Sequence, residues 1–399
     1  MEYTTSQETK ILLKINGIYS FALFLGGIFL QVFLFTLGGF RALVEYNLVS
    51  AGSLLIFYFL SGWILTRVRS KNLLLFGISA YILLFSLLFL FREQSLSLLA
   101  VLGAIHGMAT GIFWGVMNLL HYVFITQEAR HRFFGRQSFL FSITGGVAPI
   151  LGGMLISLMG FLVSKEFGYS FVFFLVAVLM ALVYHQATKL PEQKVIDFSL
   201  HDMTKHRRSH IWKSVLLQDF FAGMFDAMFP AFSAVIIFLI VKEEFVLGFV
   251  NAAGAIIAAC AGLSAGIILA KKQTSFIVAS FIAAFGIGLF AWQQNWWGLI
   301  ALTFLFNAAM PVIGVASSKT FFDVMDRLGR DWQKKYYLFL EREIALGLGR
   351  VSSLLLFLLA VSDRNQLEIA RIAIGLLAFV PLCIGFFLMR IMRVMRIDT

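Results

Sequence analysis

Asp219, Asp226, Glu343, Arg350, His106 and Asn307 are polar side chains set inside long apolar stretches, where each needs a reason to persist. A charge at the centre of a bilayer costs at least about 2.5–3.5 kcal/mol even on lenient scales. Asp219 and Asp226 stand seven residues apart in Leu217-Gln218-Asp219-Phe220-Phe221-Ala222-Gly223-Met224-Phe225-Asp226. Seven residues is close to two helical turns, so both carboxylates project from one helix face. Asp219 lies near the edge of its apolar run and reads as solvated there. Asp226 lies deeper, where burial favours the protonated acid and suits it to exchanging protons. Glu343 and Arg350 repeat the seven-residue spacing, with only apolar residues or glycine between them. A guanidinium does not shed its charge at physiological pH. Arg350 therefore needs a carboxylate, a water-filled cavity or an anionic substrate. Two turns is a long reach within one helix, so the spacing points to a partner on another helix, with Asp226 the first candidate. A purely structural ion pair fits the same spacing. His106 reads either as a neutral, hydrogen-bonded histidine or as a proton-linked switch. Asn307, followed by Pro311, reads as a cavity-lining broken segment or a tolerated kink.

The elements that must hold these groups are spanning helices. Apolar residues make up 60% of the 399, charged residues 13%, and the 45 phenylalanines suit surfaces that face lipid tails. A soluble core of this length cannot hide so much apolar surface. A spanning helix needs about 20 apolar residues. Such runs fall near 15–36, 46–66, 73–91, 97–119, 137–160, 169–188, 214–240, 246–269, 275–292, 297–318, 340–361 and 370–389. The spacing thus predicts an all-α membrane protein of twelve transmembrane helices. The first run is too long, and lacks the small-residue cleavage site, for a removable signal peptide. The cysteines, Cys260 and Cys383, lie in apolar runs and imply no disulfide framework.

Charge gives the orientation. With the N-terminus inside, 25 Lys and Arg residues fall in inner segments and 6 in outer loops, with Arg350 inside a span. Basic residues accumulate on the cytoplasmic side, so both termini are expected in the cytoplasm, with the protein multi-pass in the cytoplasmic (inner) membrane. The net charge of +11 sits in short loops between apolar runs, which is membrane topology and not a nucleic-acid face. The longest polar stretch, 189–211, separates a six-helix half at 1–188 from a second at 212–399.

The halves repeat. Gly62-Trp63-Ile64-Leu65-Thr66-Arg67 ends the second run, and Gly266-Ile267-Ile268-Leu269-Ala270-Lys271 ends the eighth, 204 residues later. Asn47 and Asn251 open those runs at the same offset. Such repetition marks an internally duplicated transporter fold. Here the chain resembles the major facilitator superfamily, whose signature after the second helix reads Gly-x-Leu-Ala-Asp-Arg-x-Gly-Arg-Lys. Gly62, Arg67 and Lys71 match it in register, while Thr66 replaces the acidic residue, Arg69 the second glycine and Ser70 an arginine. A second resemblance lies in the fifth run, Gly145-Gly146-Val147-Ala148-Pro149-Ile150-Leu151-Gly152-Gly153, similar to the Gly-Pro-x-x-Gly-Gly of antiporters in the superfamily. Pro149, Gly152 and Gly153 match, and Ala148 stands where the glycine before proline would be. An interior proline kinks a helix, and glycines let a neighbouring backbone approach closely. An ordinary close-packed helix pair explains the same residues. The resemblance implies two six-helix bundles, with the first, fourth, seventh and tenth helices lining a central path. The family's arginine in the fourth helix is Gly103 here, and the first helix holds only Asn16 and Gln31 as sizeable polar groups.

The function expected is secondary active transport of a small solute by alternating access, coupled to protons through a buried acid; the antiporter resemblance tilts it towards efflux, with import left open. A lipid or lysolipid flippase is the alternative within the same fold. A non-transporting membrane scaffold or sensor is the alternative of another class, disfavoured because no loop can house a sizeable soluble domain. No enzyme is expected: the sequence has no His-Glu-x-x-His and no Walker loop. The partners implied are the solute, protons and the lipid bilayer, with no cofactor, no metal and a monomeric state.

Overall fold

Helix α1 (Gln7–Ile64) holds 58 residues. Straight, it would run about 87 Å, against about 30 Å of hydrocarbon. It is not straight. Gly38 and Gly39 leave helical dihedrals, and Gly39 has a φ of 68°, a conformation that glycine alone adopts without strain. The Phe40 N–H donates to Gln366 Oε1 at 2.8 Å, and a Cβ on Gly39 would collide with the same Gln366 side chain. The kink therefore splits α1 into the two crossings predicted at 15–36 and 46–66.

The computed structural model describes residues 7–125, 130–192, 201, 208–327, 332–362 and 365–397. Most of the linker 189–211 lies outside the described residues, as do Lys194, Lys205, Arg207, Arg330 and Arg364 of the charge count. After α1 come α2 (Ser70–Phe91), a 3-10 turn at Arg92–Leu98 and α3 (Leu99–Phe124). α4 (Arg130–Leu162) and α5 (Lys165–Ala187) follow. Ser164 caps α5 by accepting from the Phe167 N–H at 3.2 Å, the role a short hydroxyl side chain takes at a helix start. The second half runs α6 (His210–Val241), α7 (Glu244–Lys271) and α8 (Ser275–Trp292). Then come α9 (Trp296–Ala301), a π-helical turn (Leu302–Phe306), α10 (Asn307–Arg327), α11 (Trp332–Ala360), α12 (Gln366–Leu377) and α13 (Phe379–Ile397). Ser209 caps α6 on the Trp212 N–H at 3.1 Å, five residues before the expected start of that run.

Among the described residues, ten stretches are long and apolar enough to cross a membrane, and no strand occurs. Two of the ten, Gln7–Ile64 and Ser70–His121, are double length and each is broken near its middle. Twelve crossings fit them. Large apolar side chains lie open on the outside, with Phe161 88% and Leu263 82% exposed. Contiguous apolar exposure on this scale is the surface of a protein solvated by acyl chains. The exposed Trp292, Trp296 and Trp297 flank one turn, where indoles sit at a membrane–water boundary.

The chain forms two compact units. One gathers Met1–Leu37, Val49–Asp197 and Glu243–Ala252; the other gathers Gly38–Leu48, Phe198–Lys242 and Ala253–Thr399. Each takes a short stretch from beyond the linker or before it, so the units are not two uninterrupted halves.

Candidate functional site

Within the second unit, two glycines bring α6 and α11 into backbone contact. A Cβ on Gly223 would meet the Leu346 carbonyl, and one on Gly349 would meet the Phe220 carbonyl and lie 3.0 Å from the Met224 nitrogen. Small residues permit this approach in membrane helices, and it allows short aspartate side chains to span the gap. Contacts ascend together along both helices, Trp212 with Glu341, Asp219 with Arg342 and Asp226 with Arg350. α6 and α11 are therefore parallel, and their charges form a ladder.

The deepest rung is a triad. Arg350 donates from Nε to Asp226 Oδ2 at 2.9 Å, and Nη2 lies 2.8 Å from the same oxygen. Its Nη1 meets Glu343 Oε1, seven residues back on the same helix. The expectation that two turns are too far for a partner within the helix is thus corrected. Helical Cα–Cβ bonds tilt towards the N-terminus, so the long arginine side chain leans back to Glu343 while its fork also serves Asp226. One guanidinium faces two carboxylates, which leaves the triad with one excess negative charge. Arg350 and Glu343 are 14% and 15% exposed, whereas Asp226 is 58% exposed. Asp226 lies 16 residues into α6, about 24 Å along its axis. An open carboxylate at that depth faces water and not hydrocarbon, given the cost of charge in lipid.

Asp219 differs from its expectation as a solvated edge residue. It is 5% exposed, because α6 begins earlier than expected and α10 and α11 cover it. Arg342 Nε reaches its Oδ1 at 3.5 Å, and the guanidinium also stacks over Phe321 at 4.6 Å. The rung nearest the start of α6 was not singled out in the sequence. Trp212 Nε1 donates to Glu341 Oε2 at 2.5 Å and Arg208 Nη2 lies 3.1 Å from Oε1, beside a core of Val215, Phe321, Val324, Met325 and Leu338. Its signal was the acid–base–acid triplet Glu341-Arg342-Glu343 at the mouth of an apolar run.

Asn307 follows the π-turn directly and donates from Nδ2 to the Thr303 carbonyl at 2.9 Å. Gly254 packs against it, since a Cβ there would lie 2.8 Å from Nδ2. Phe306 in the π-turn packs at a tilt on Phe229 at 4.7 Å and stacks on Phe225 at 5.8 Å, next to Asp226 in sequence. π-turns inside helices frequently mark functional positions. His106 belongs to the first unit and does not join the charge ladder. Its carbonyl accepts from Thr110 Oγ1 at 2.8 Å, and its ring lies edge-on to Tyr81 at 6.1 Å. Tyr81 in turn shares hydrogen bonds of 2.8 Å with Tyr19 and with Thr110. Sequence reasoning missed this hydroxyl chain, and the pairing of Asn16 with His121 at 3.0 Å, because single tyrosines and asparagines in apolar runs carry no pattern.

Among the motif residues, Gly152 and Gly153 are contact points. A Cβ on Gly152 would fall 2.6 Å from the Leu25 carbonyl oxygen and from Phe29, and one on Gly153 would strike the Glu244 carbonyl. Pro149 presents its own carbonyl to Gly248. Glu244, which falls between two of the apolar runs, is 4% exposed and accepts from Tyr169 Oη at 2.8 Å with Lys165 Nζ 2.9 Å away. In the second-helix signature, Arg67 lies 4.0 Å over the Trp63 ring, Gly62 is buried and Lys71 half-buried. Gly266 has open space where a side chain would go, and Lys271 is exposed at the end of α7. Gly152→Val is expected to cost about 1–3 kcal/mol by overpacking. A lowered melting temperature of the purified protein checks this, with Gly266→Val, which meets open space, leaving it unchanged.

Residues 15–337 match the family model of the Major Facilitator Superfamily. The chain is 25% identical over 374 residues to the "Uncharacterized protein YqgE" of Bacillus subtilis (strain 168), covering 91% of this chain and 86% of that protein. In fold it is similar to the nucleoside transporter NupG, with a TM-score of 0.72 at 14% identity, covering 96% of this chain and 99% of that one. It is likewise similar to the E. coli fucose:proton symporter FucP, with a TM-score of 0.61 at 16% identity and coverage of 95% and 98%. A bacterial homologue of the human drug peptide transporters gives a TM-score of 0.74 at 11% identity, with coverage of 98% and 99%. With more than half of its length matched and this fold throughout, the chain belongs to the major facilitator superfamily of membrane transporters.

Proposed function

We propose that the protein moves a small solute by alternating access, coupled to protons at the Asp226–Arg350–Glu343 triad. The observation that carries this reading is the excess carboxylate of the triad, whose open member, Asp226, is 58% exposed midway along α6. A proton arriving on Asp226 neutralises the excess charge and loosens its attraction to Arg350. Among the described residues, the other charged groups along this seam are Asp219 with Arg342 and Glu341 with Arg208, further towards the start of α6, and Glu343 on α11. Release of Arg350 from Asp226 frees the exposed face of α6 to change partners, which is the step that couples proton and solute. Export in exchange for protons is the direction we favour, on the resemblance of Pro149, Gly152 and Gly153 to the antiporter pattern. The test is a solute screen in inverted vesicles with an imposed pH gradient. Accumulation that collapses when the gradient is dissipated supports the reading; no gradient-driven flux of any solute removes it.

The orientation proposed places both termini in the cytoplasm. Reporters fused after Arg208 and after Thr399 are expected to report cytoplasm, and one inserted between Lys165 and Glu166 the outside. Opposite locations for the Arg208 and Thr399 fusions would overturn the even number of crossings between them.

A further inference from the structure

The end of α13 carries a cationic corner that the protein leaves unanswered. Two glycines fix the register of α8 against α12 and α13. A Cβ on Gly375 would lie 3.7 Å from the Ala291 Cβ, and one on Gly385 would fall 2.6 Å from Ser280 Oγ. Residue numbers rise along one side as they fall along the other, so the packing is antiparallel. Continued for about two turns past Gly385, this register sets Arg390 opposite Ser275 and Arg393 opposite Lys272. Lys271 precedes Lys272 at the end of α7. All four cations are exposed. Among the described residues none of them joins an ion pair, and Asp323 of α10, exposed at the same end of the unit, does not bridge to them. Arg393 Nη2 donates to the Met389 thioether at 3.3 Å, and sulfur is a weak acceptor. Membrane topology asks for cations on one side. It does not ask for them to face one another without a carboxylate, where like charges repel. The corner calls for an anion.

What adjoins the corner selects the anion. Along α13 the exposed Phe379 and Phe386 precede Arg390 and Arg393 at helical spacing, so all four share one face. On α8 the exposed face holds Val278, Phe281 and Phe285. Phe281 follows Ser280, and Phe386 follows Gly385, the two residues in contact. In antiparallel right-handed helices the residue after each contact turns to the same side of the seam. An exposed apolar seam therefore leads up to the cations and stops where they begin. A free phosphate would use the charges and leave the seam bare. A phospholipid uses both. Arginine forks match phosphate oxygens in pairs, and basic pockets between helix ends at the membrane boundary hold anionic headgroups.

We propose that the seam between α8 and α13 binds an anionic phospholipid. Arg390 and Arg393 hold its headgroup phosphate, Lys271 and Lys272 add positive charge beside it, and an acyl chain lies between Phe281 and Phe386. The site shares no residue with the triad at Asp226 and does not depend on proton coupling there.

The experiment uses the full-length protein purified in detergent, with melting followed by tryptophan fluorescence. Dioleoyl phosphatidylglycerol is titrated in, against dioleoyl phosphatidylcholine as the headgroup without net charge. With phosphatidylglycerol, a saturable rise of about 3 °C in the melting temperature is expected at a hundredfold excess over half saturation. Arg390→Gln and Arg393→Gln should each raise the half-saturating concentration about tenfold, the equivalent of one lost charge-assisted bond. The double variant should abolish the rise. Lys10→Gln, which removes an exposed charge from the first unit, should leave the titration unchanged. No rise, or an equal rise with phosphatidylcholine, overturns the proposal. An equal rise with inorganic phosphate at matched ionic strength overturns the lipid and leaves a simple anion site. A phosphatidylglycerol effect undiminished in the double variant places the lipid elsewhere.

Discussion

Asp226→Asn is expected to abolish uphill transport driven by a pH gradient while leaving exchange of solute between the two sides intact. The asparagine mimics the permanently protonated acid: it can still accept a hydrogen bond from Arg350 but offers no charge to hold it. Driven accumulation should fall to the level seen without a gradient, while exchange should change less than about threefold, because the path itself keeps its shape. Stability should change little. Asp226 is 58% exposed, and an exposed ion pair contributes only about 0–1 kcal/mol. Proteoliposomes with an imposed pH gradient measure the first quantity, and preloaded vesicles at equal pH measure the second. Accumulation by Asp226→Asn at wild-type level would place the coupling group elsewhere in the protein. Loss of both activities in a well-folded variant would make Asp226 a path residue and not a coupling one.

The parts of this site legible in the sequence are those with a period. Apolar runs of spanning length give the crossings, and the seven-residue spacings of Asp219 with Asp226 and of Glu343 with Arg350 place each pair on one face. The pairing of α6 with α11 followed from Arg350 alone, since a fixed charge in lipid demands a partner. What the sequence hid is geometry that depends on neighbours. Asp219 looked solvated because it stands near the end of an apolar run, yet α10 and α11 cover it. The Glu343–Arg350 contact was obscured by counting turns without the tilt of helical side chains. Glu244 stands outside the apolar run that follows it, so its burial against Tyr169 came from packing that no single segment announces. The π-turn before Asn307 also has no local signature, because Leu302-Thr303-Phe304-Leu305-Phe306 would serve equally well as α-helix.

The largest effect on stability is expected from Arg350→Ala. The change strands Asp226 and Glu343 near one another without their cation, and Glu343 is only 15% exposed. Breaking a buried pair by removing one member costs about 3–5 kcal/mol, because the remaining charge is uncompensated. A fall in melting temperature of about 4–6 °C follows for a chain of this size. Adding Asp226→Asn to Arg350→Ala removes the repulsion between the two stranded carboxylates in advance. The double variant should therefore be more stable than the sum of the two single losses predicts, by about 0.5–3 kcal/mol, the usual coupling within one charge network. Arg350→Lys separates charge from shape: a lysine supplies the positive charge as a point but not the fork that reaches Asp226 and Glu343 together. It should recover part of the melting temperature and little of the coupled transport. Strict additivity between Asp226→Asn and Arg350→Ala would mean that Glu343 alone holds Arg350.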